Sequence, residues 1–384
     1  MIERALHIEN LLSPGRTLLL LGPRRSGKTT LLKHSLNGIT KPYLLLNGDN
    51  VRDQDLLSTP DASRLDPTVS GIELLVIDEA QNIENIGRSL KIINDSHPEI
   101  AVVATGSSSF DLRGQIGEPL VGRKHTVLLY PFWIEELCAN DQTAPPALTW
   151  QRLRDTLLVF GQYPQSFTAL NNRERTEFLI DLVDSLLLKD ILAYQEVKGS
   201  RILRRLLELL AHQIGGEVSL SELGSHLNIH KATVDRYLDL LEKSFVIFRL
   251  SGFSRNMRSE VTRTAKYYFY DVGVRNAIIN NFTPLELRDD VGKLWENYAL
   301  VERMKTRAYA GPIANQYFWR TWQQSEIDLI EDRGGRLYGY EFKWNPNKTV
   351  RVPREWTNAY PENTSFEVVT PENFLQFAQG EQEA

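Results

Sequence analysis

Cysteine is almost absent: the chain holds one, Cys138, among 384 residues. A lone thiol closes no internal disulfide and builds no thiolate zinc site, which excludes a disulfide-stapled scaffold and suits a reducing compartment, the cytoplasm. Long apolar runs are missing as well. The one nearest the N-terminus, Leu18 to Leu21, is far shorter than a signal-peptide core or a membrane span, so no membrane association is expected. Neither sign of charge dominates. A net charge of −5 excludes a polycation that grips nucleic acid through a global field, and leaves only local basic patches for that purpose. With 42% hydrophobic and 24% charged residues the composition is that of a folded globular chain, and the length has room for two or three cores.

Between Thr17 and Pro131 short apolar runs recur: Leu18 to Leu21, Tyr43 to Leu46, Leu74 to Ile77, Ala101 to Ala104 and Val127 to Leu129. Runs without alternation suit strands covered on both faces, and Thr29 to Leu36 and Gly87 to Asn94 read as helices between them. That pattern predicts an α/β domain with a doubly wound parallel sheet. From Trp150 to Leu192 the apolar spacing turns helical, with Phe178, Leu179, Leu182, Val183, Leu186 and Leu187 three and four apart. Arg201 to Leu250 reads as three helices and a strand, and Ser251 to Lys266 is arginine-rich, an order that resembles a winged helix-turn-helix with its wing. A helix around Leu294 to Met304 and strands at Tyr317 to Trp319, Ile327 to Ile330 and Leu337 to Trp344 make a third, α/β unit. The expected organisation is a first α/β domain over 1–140, a helical connector over 141–200, the winged module over 201–270 and a C-terminal domain over 271–384.

Gly22-Pro23-Arg24-Arg25-Ser26-Gly27-Lys28-Thr29 is a full match to G-x-x-x-x-G-K-[ST], set between the first strand and a helix. Such a loop wraps backbone N–H groups around phosphate oxygens, which requires glycine where a side chain would block the approach, and the helix N-terminus adds partial positive charge. Lys28 would reach the β- and γ-phosphates of ATP, Thr29 would supply a hydroxyl to Mg²⁺, and Thr30 would bond the α-phosphate. Leu74 to Ile77 ends in Asp78-Glu79, which looks like a Walker B segment. Asp78 would hold Mg²⁺ through water, and Glu79 would orient the attacking water, because phosphoryl transfer to water needs an oriented nucleophile more than a strong base. Thr105 and Ser107, in the hydroxyl-rich end of the fourth run, are candidate sensors of the γ-phosphate. Arg123, ahead of Arg113, is the candidate guanidinium for the transition state, since a fixed fork of donors suits its spread charge. Acting on a neighbour's nucleotide, it would require a homo-oligomer.

These motifs, with Gly122-Arg123, Leu129-Tyr130-Pro131-Phe132, Gly161-Gln162-Tyr163-Pro164, Lys189-Asp190-Ile191 and Tyr268-Phe269-Tyr270-Asp271-Val272-Gly273, resemble the prokaryotic AAA-type ATPases that carry a C-terminal domain of unknown function. The likeness covers nearly the whole chain. It implies a P-loop core with strand order 5-1-4-3-2, a winged-helix module and a nuclease-like C-terminal fold.

In the helix-turn-helix candidate, Ser219 to Leu238, a DNA-reading version would present Lys231, Thr233 and Arg236 to the major groove, with Arg255, Arg258, Arg263 and Lys266 on phosphates. From Arg249 to Lys266 five basic residues face one acid, Glu260, a local excess of positive charge in an acidic chain. A lid or protein-docking role is the other reading, because Asp235, Asp239 and Glu242 share the second helix. In the C-terminal unit, Asp328 precedes Glu341-Phe342-Lys343 by thirteen residues, and period two puts Glu341 and Lys343 on one strand face. This looks like the D…E-x-K centre of restriction-endonuclease-like folds. Asp328 and Glu341 would share Mg²⁺, Lys343 would position a water and Glu296 would add an acid, either in a working nuclease or in a binding platform that keeps only the fold.

Overall fold

The structure is a computed structural model that describes residues 2–107, 119–185, 200–253 and 265–379. Strands β1 (Thr17–Leu21), β2 (Tyr43–Asn47), β3 (Leu74–Asp78), β4 (Ala101–Gly106) and β5 (Lys124–Leu128) form one parallel sheet in the order β2-β3-β4-β1-β5. Read from its other edge, this is the expected 5-1-4-3-2. Along β1, Leu18 and Leu20 join one core cluster while Leu19 and Leu21 join another. A strand with period two must split its side chains this way, so a run of four leucines is stable only with both faces covered. Helix α1 (Lys28–Leu36) covers one face with Leu31, Leu32 and Leu36. Helices α2 (Val51–Leu57), α3 (Ala62–Val69) and α4 (Ile86–Ser96) cover the other with Leu57, Leu65, Val69, Leu90 and Ile93. Strand β5 begins earlier than its apolar run because it is an edge strand paired only to β1, so Lys124, His125 and Thr126 keep partial access to water.

Four helices follow: α5 (Ile134–Asn140), α6 (Pro146–Phe160), α7 (Pro164–Thr168) and α8 (Asn172–Ser185). Next come α9 (Ser200–His212), β6 (Glu217–Val218), α10 (Leu220–Leu227), α11 (Lys231–Lys243), β7 (Ile247–Gly252) and β8 (Ala265–Phe269), with β8 antiparallel to both β6 and β7. Ser219 starts α10 by accepting the Glu222 N–H, and Asn228, at φ +54°, ends it. The C-terminal part holds α12 (Val272–Ile278), α13 (Val291–Tyr309), β9 (Asn315–Arg320), β10 (Glu326–Arg333), β11 (Arg336–Phe342), α14 (Arg354–Ala359), β12 (Thr364–Val369) and α15 (Phe374–Gln379).

β7 also pairs in parallel with β9, through Ser251 with Tyr317 and Gly252 with Phe318. That register joins both regions into one seven-stranded sheet, β12-β11-β10-β9-β7-β8-β6. One core runs beneath it from Phe132 to Ala378. At its centre Trp150 of α6 packs on Phe374 of α15 at a ring separation of 4.5 Å and on Tyr298 of α13 at 5.7 Å. The indole N–H of Trp150 donates to the Pro371 carbonyl, so this large apolar group is buried without an orphaned donor.

Candidate functional site

The loop Gly22 to Gly27 leaves the carboxyl end of β1 and turns into α1. A Cβ at Gly22, whose φ is +152°, would stand 2.3 Å from the Leu129 carbonyl oxygen, so only glycine fits. Pro23 and Ser26 are buried and Arg24 is half-buried, while Arg25, at φ +60°, sends its guanidinium over the Phe178 ring of α8 at 5.5 Å. Lys28 is buried, and its Nζ donates to the carbonyls of Gly22 at 2.8 Å and Pro23 at 2.9 Å. The loop thus holds its ammonium on neutral oxygens. Thr29 Oγ1 donates to Asp78 Oδ2 at 2.8 Å, and Thr105 Oγ1 donates to the other oxygen of Asp78 at 2.5 Å. The Thr105 hydroxyl also accepts the Glu79 N–H at 3.1 Å. The ends of β1, β3 and β4 are therefore tied together at one point, where an open α/β sheet binds its ligands.

Glu79 sits at φ +51°, in the left-handed region, with its carboxylate accepting from the Gln81 side-chain amide. A backbone held there in a non-glycine residue costs about 1 kcal/mol, and points to a side chain whose direction is fixed by its surroundings. Gly48 makes room: a Cβ there would lie 2.1 Å from the Glu79 carbonyl. Ser107 is buried beyond Thr105 at the same strand end. Hard oxygen donors from Thr29 and Asp78, beside a backbone cradle, fit Mg²⁺ with a nucleotide phosphate.

Arg4 is a residue that sequence reasoning missed. It donates to the Ser26 carbonyl of the loop at 3.0 Å and to the Tyr130 carbonyl at 2.6 Å, and pairs with buried Glu136 at 3.0 Å. The phosphate loop is thereby fastened from behind by a segment more than twenty residues upstream, a contact no local pattern announces. Beside it lies a cavity of about 520 Å³ lined by Ile2, Gly27, Thr30, Leu31, Phe132 and Pro164, large enough for a purine next to the phosphate site. Pro164 belongs to the Gly161 to Pro164 motif. In the same motif the Gln162 N–H donates to Asp271 at 2.7 Å and its side-chain carbonyl accepts from Lys305 of α13 at 2.8 Å.

Arg123 stands elsewhere. The Thr17 N–H, at the start of β1, donates to the Arg123 carbonyl, which puts this arginine at the amino end of the sheet, roughly 15 Å from its own phosphate loop by strand length. It pairs there with Asp95 on the surface. Arg123 therefore stands away from the phosphate loop of its own chain. Arg113 lies outside the described residues.

In the middle region Lys231 and Arg236 are exposed and Thr233 is half-buried, with Asp235 and Asp239 exposed among them. Arg255, Arg258 and Arg263 lie outside the described residues. Lys266, expected on a phosphate, is 1% exposed. It lies on β8, which is covered on both faces, and its ammonium pairs with Glu326 and lies 3.6 Å from Glu296.

The C-terminal candidates do meet. Tyr268 donates to Glu296 at 2.6 Å, the Phe342 N–H donates to Asp328 at 2.9 Å and Lys343 donates to Glu341 at 2.6 Å. Glu296, Asp328 and Lys343 line a cavity of about 370 Å³ with Lys293 and Lys348. Burial, then the charge of Asp328, pushes the Glu296 carboxyl up to about 8, and burial also raises Asp328 and Glu341. Among the described residues no three carboxylates or imidazoles converge to hold a metal ion. Of the four candidates, Glu296, expected as a further acid, is engaged by Tyr268 and lies beside Lys266.

Residues 14–138 match the AAA domain, 151–285 a domain of unknown function (DUF8612) and 291–382 another (DUF4143). Uncharacterized proteins of Mycobacterium tuberculosis and Mycobacterium bovis are each 30% identical over 350 residues, covering 89% of this chain and 74% of theirs. One from Haemophilus influenzae is 26% identical, covering 78% and 76%. Among solved structures, a Signal Transduction ATPase with Numerous Domains (STAND) protein with a tetratricopeptide repeat sensor from Pyrococcus horikoshii aligns at 12% identity and a TM-score of 0.29, over 79% of this chain and 45% of its own length. This is a P-loop ATPase of the AAA type. The chain belongs to the family in which that domain is joined to a C-terminal DUF4143 domain.

Proposed function

We propose that the chain hydrolyses ATP with Mg²⁺ and couples that cycle to binding of DNA. The observation that carries the ATPase half is the junction of Lys28, Thr29, Asp78, Glu79 and Thr105 at the ends of three adjacent strands. Mg²⁺, held by Thr29 and Asp78, would supply neutralisation of the phosphate charge. Lys28 would exchange the Gly22 and Pro23 carbonyls for phosphate oxygens, a stronger, charge-assisted set of partners. Thr105 fixes both Asp78 and the Glu79 backbone, so the Glu79 carboxylate is positioned to accept a hydrogen bond from the attacking water. Support for the DNA half is the order α9, β6, α10, α11, β7, β8, that of a winged helix-turn-helix, together with exposed Lys231 and Arg236 and the basic sequence between β7 and β8. Arg123, facing away from its own loop, would serve a neighbour's nucleotide in a homo-oligomer.

The test is steady-state ATP hydrolysis with and without duplex and single-stranded DNA, with Glu79→Gln as the blank. Stimulation by DNA supports the coupled reading; hydrolysis indifferent to DNA moves the coupling to a protein partner. Turnover that survives Glu79→Gln removes that residue from its role. A second reading, a metal-dependent nuclease, is favoured by Asp328 and Lys343 lining one cavity, with Glu341 bonded to Lys343. Metal-dependent cutting lost in Lys343→Ala would support it.

A further inference from the structure

Gln81 is 2% exposed, in the short turn Ala80–Asn82 just past the carboxyl end of β3. A glutamine buried that deeply costs free energy unless its amide is bonded, so its partner says what it is for. The partner is Glu79: the Gln81 side-chain N–H donates to Glu79 Oε2. Asp78 and Glu79 close the strand, and Gln81 is the third polar side chain of the same run.

The turn that carries it is firmly held. Ala80 and Ile83 are fully buried, the Asn82 N–H donates to the Glu79 carbonyl at 3.1 Å, and the Ile83 N–H donates to that of Ala80 at 3.1 Å. Asn82 is exposed and its side chain donates to Asp49 at 2.6 Å, which leaves Gln81 on the inner side of the turn. Thr105 accepts the Glu79 N–H at 3.1 Å, so the backbone and the carboxylate of Glu79 are held by two different residues. The second hold matters because a free glutamate side chain spreads over many rotamers, few of which orient a water in line for attack. With Oε2 on the Gln81 amide, the direction of Oε1 is set before any water arrives.

We propose that Gln81 is a positioning residue for hydrolysis: it fixes one oxygen of Glu79 so that the other meets the attacking water. The proposal rests on the reading of Glu79 given above. Its test uses the full chain with ATP and Mg²⁺, with enzyme in excess so that slow variants are still read. Gln81→Met keeps the length and apolar bulk of the side chain and removes the donor. It should lower kcat about tenfold to a hundredfold, with KM, affinity for a fluorescent ATP analogue and the thermal midpoint unchanged. In a Glu79→Gln background the same substitution should cost nothing further, because the group it positions is gone. Gln81→Asn, which keeps the amide but draws it back from Glu79 by one methylene, should show the same loss of kcat, and takes the place of Gln81→Met if that variant does not fold. Turnover at or above the wild-type rate overturns the proposal. So does an equal loss in both backgrounds, or a loss that comes with weaker nucleotide binding or a lower midpoint, either of which assigns Gln81 to packing. Wild-type turnover in Glu79→Gln alone overturns the reading of Glu79, and the role of Gln81 with it.

Discussion

The phosphate loop and the C-terminal cavity each gather carboxylates and a lysine at strand ends, yet they treat charge in opposite ways. In the loop Lys28 rests on two neutral carbonyls, and Asp78 receives two hydroxyls. These neutral partners can be exchanged for a phosphate and a metal ion, which bond an ammonium and a carboxylate more strongly. On the C-terminal side Lys343, which lines the cavity, holds Glu341, and Lys266 holds Glu326 beside Glu296. An ion entering there must displace a buried charge partner, and parting such a pair costs several kcal/mol. The lesson is that a list of acids and lysines does not say how each charge is held; the partners do.

The sharpest way to break this contrast is Lys28→Ala, which should lower ATP turnover by roughly three orders of magnitude and weaken nucleotide binding as well. Unchanged nucleotide affinity in a titration would show that the loop does not cradle phosphate. Nearly as large is the effect expected of Glu331→Gln on the C-terminal side. Burial opposes the charge of Glu331, but Arg303 and Arg307 outweigh it and hold the carboxyl at about 2. Arg303, Arg307 and Arg333 all bond it. Removing that carboxylate leaves three guanidinium groups facing one another, a loss of about 3–5 kcal/mol measurable by denaturant unfolding.

Glu296→Gln sharpens the comparison through pH. The Glu296 carboxyl, pushed up to about 8 from an ordinary 4.5 by burial first, holds its proton more tightly folded than unfolded. Its stabilising contribution is complete below about pH 4.5 and is lost as pH rises through 8, a change on the order of 2–4 kcal/mol. Wild-type thermal midpoints should fall across that window, and the glutamine variant should fall less; parallel curves would mean that Glu296 is ionised throughout. The smallest effect is that of Arg123→Ala. Its ion pair with Asp95 is surface-exposed, so stability should change by under about 1 kcal/mol, and hydrolysis by a dilute single chain should stay the same. A drop in turnover that grows with protein concentration would place Arg123 on a neighbour's nucleotide.

Where the chemistry lies in contiguous residues it was legible. The apolar runs and the octet from Gly22 to Thr29 were enough to place the first sheet and to bring Thr29 and Asp78 together, because glycine geometry and two-faced burial leave local traces. Arg4 was not legible, since its partners Ser26, Tyr130 and Glu136 are brought to it only by the completed fold. Lys266 was misread for a related reason. Counted with its neighbours it looks like part of a solvated basic wing, but it opens the run Tyr267 to Phe269, whose strand is buried on both faces, and there a lysine survives only beside carboxylates. Glu341 and Lys343 were correctly placed on one face by alternation, but alternation is silent about Tyr268, which arrives from another strand to occupy Glu296.

The parallel pairing of β7 with β9 has a mechanical side. Hydrogen bonds across a continuous sheet resist shear far better than side-chain contacts across a domain seam, so the helices α9 to α11 and the C-terminal strands must move as a single stiff plate. Pro164 lines the cavity beside the phosphate loop, and Gln162, two residues earlier, accepts from Lys305, which lies on the long helix beneath that plate. A displacement of that helix would therefore be shared by the whole plate rather than taken up by one strand.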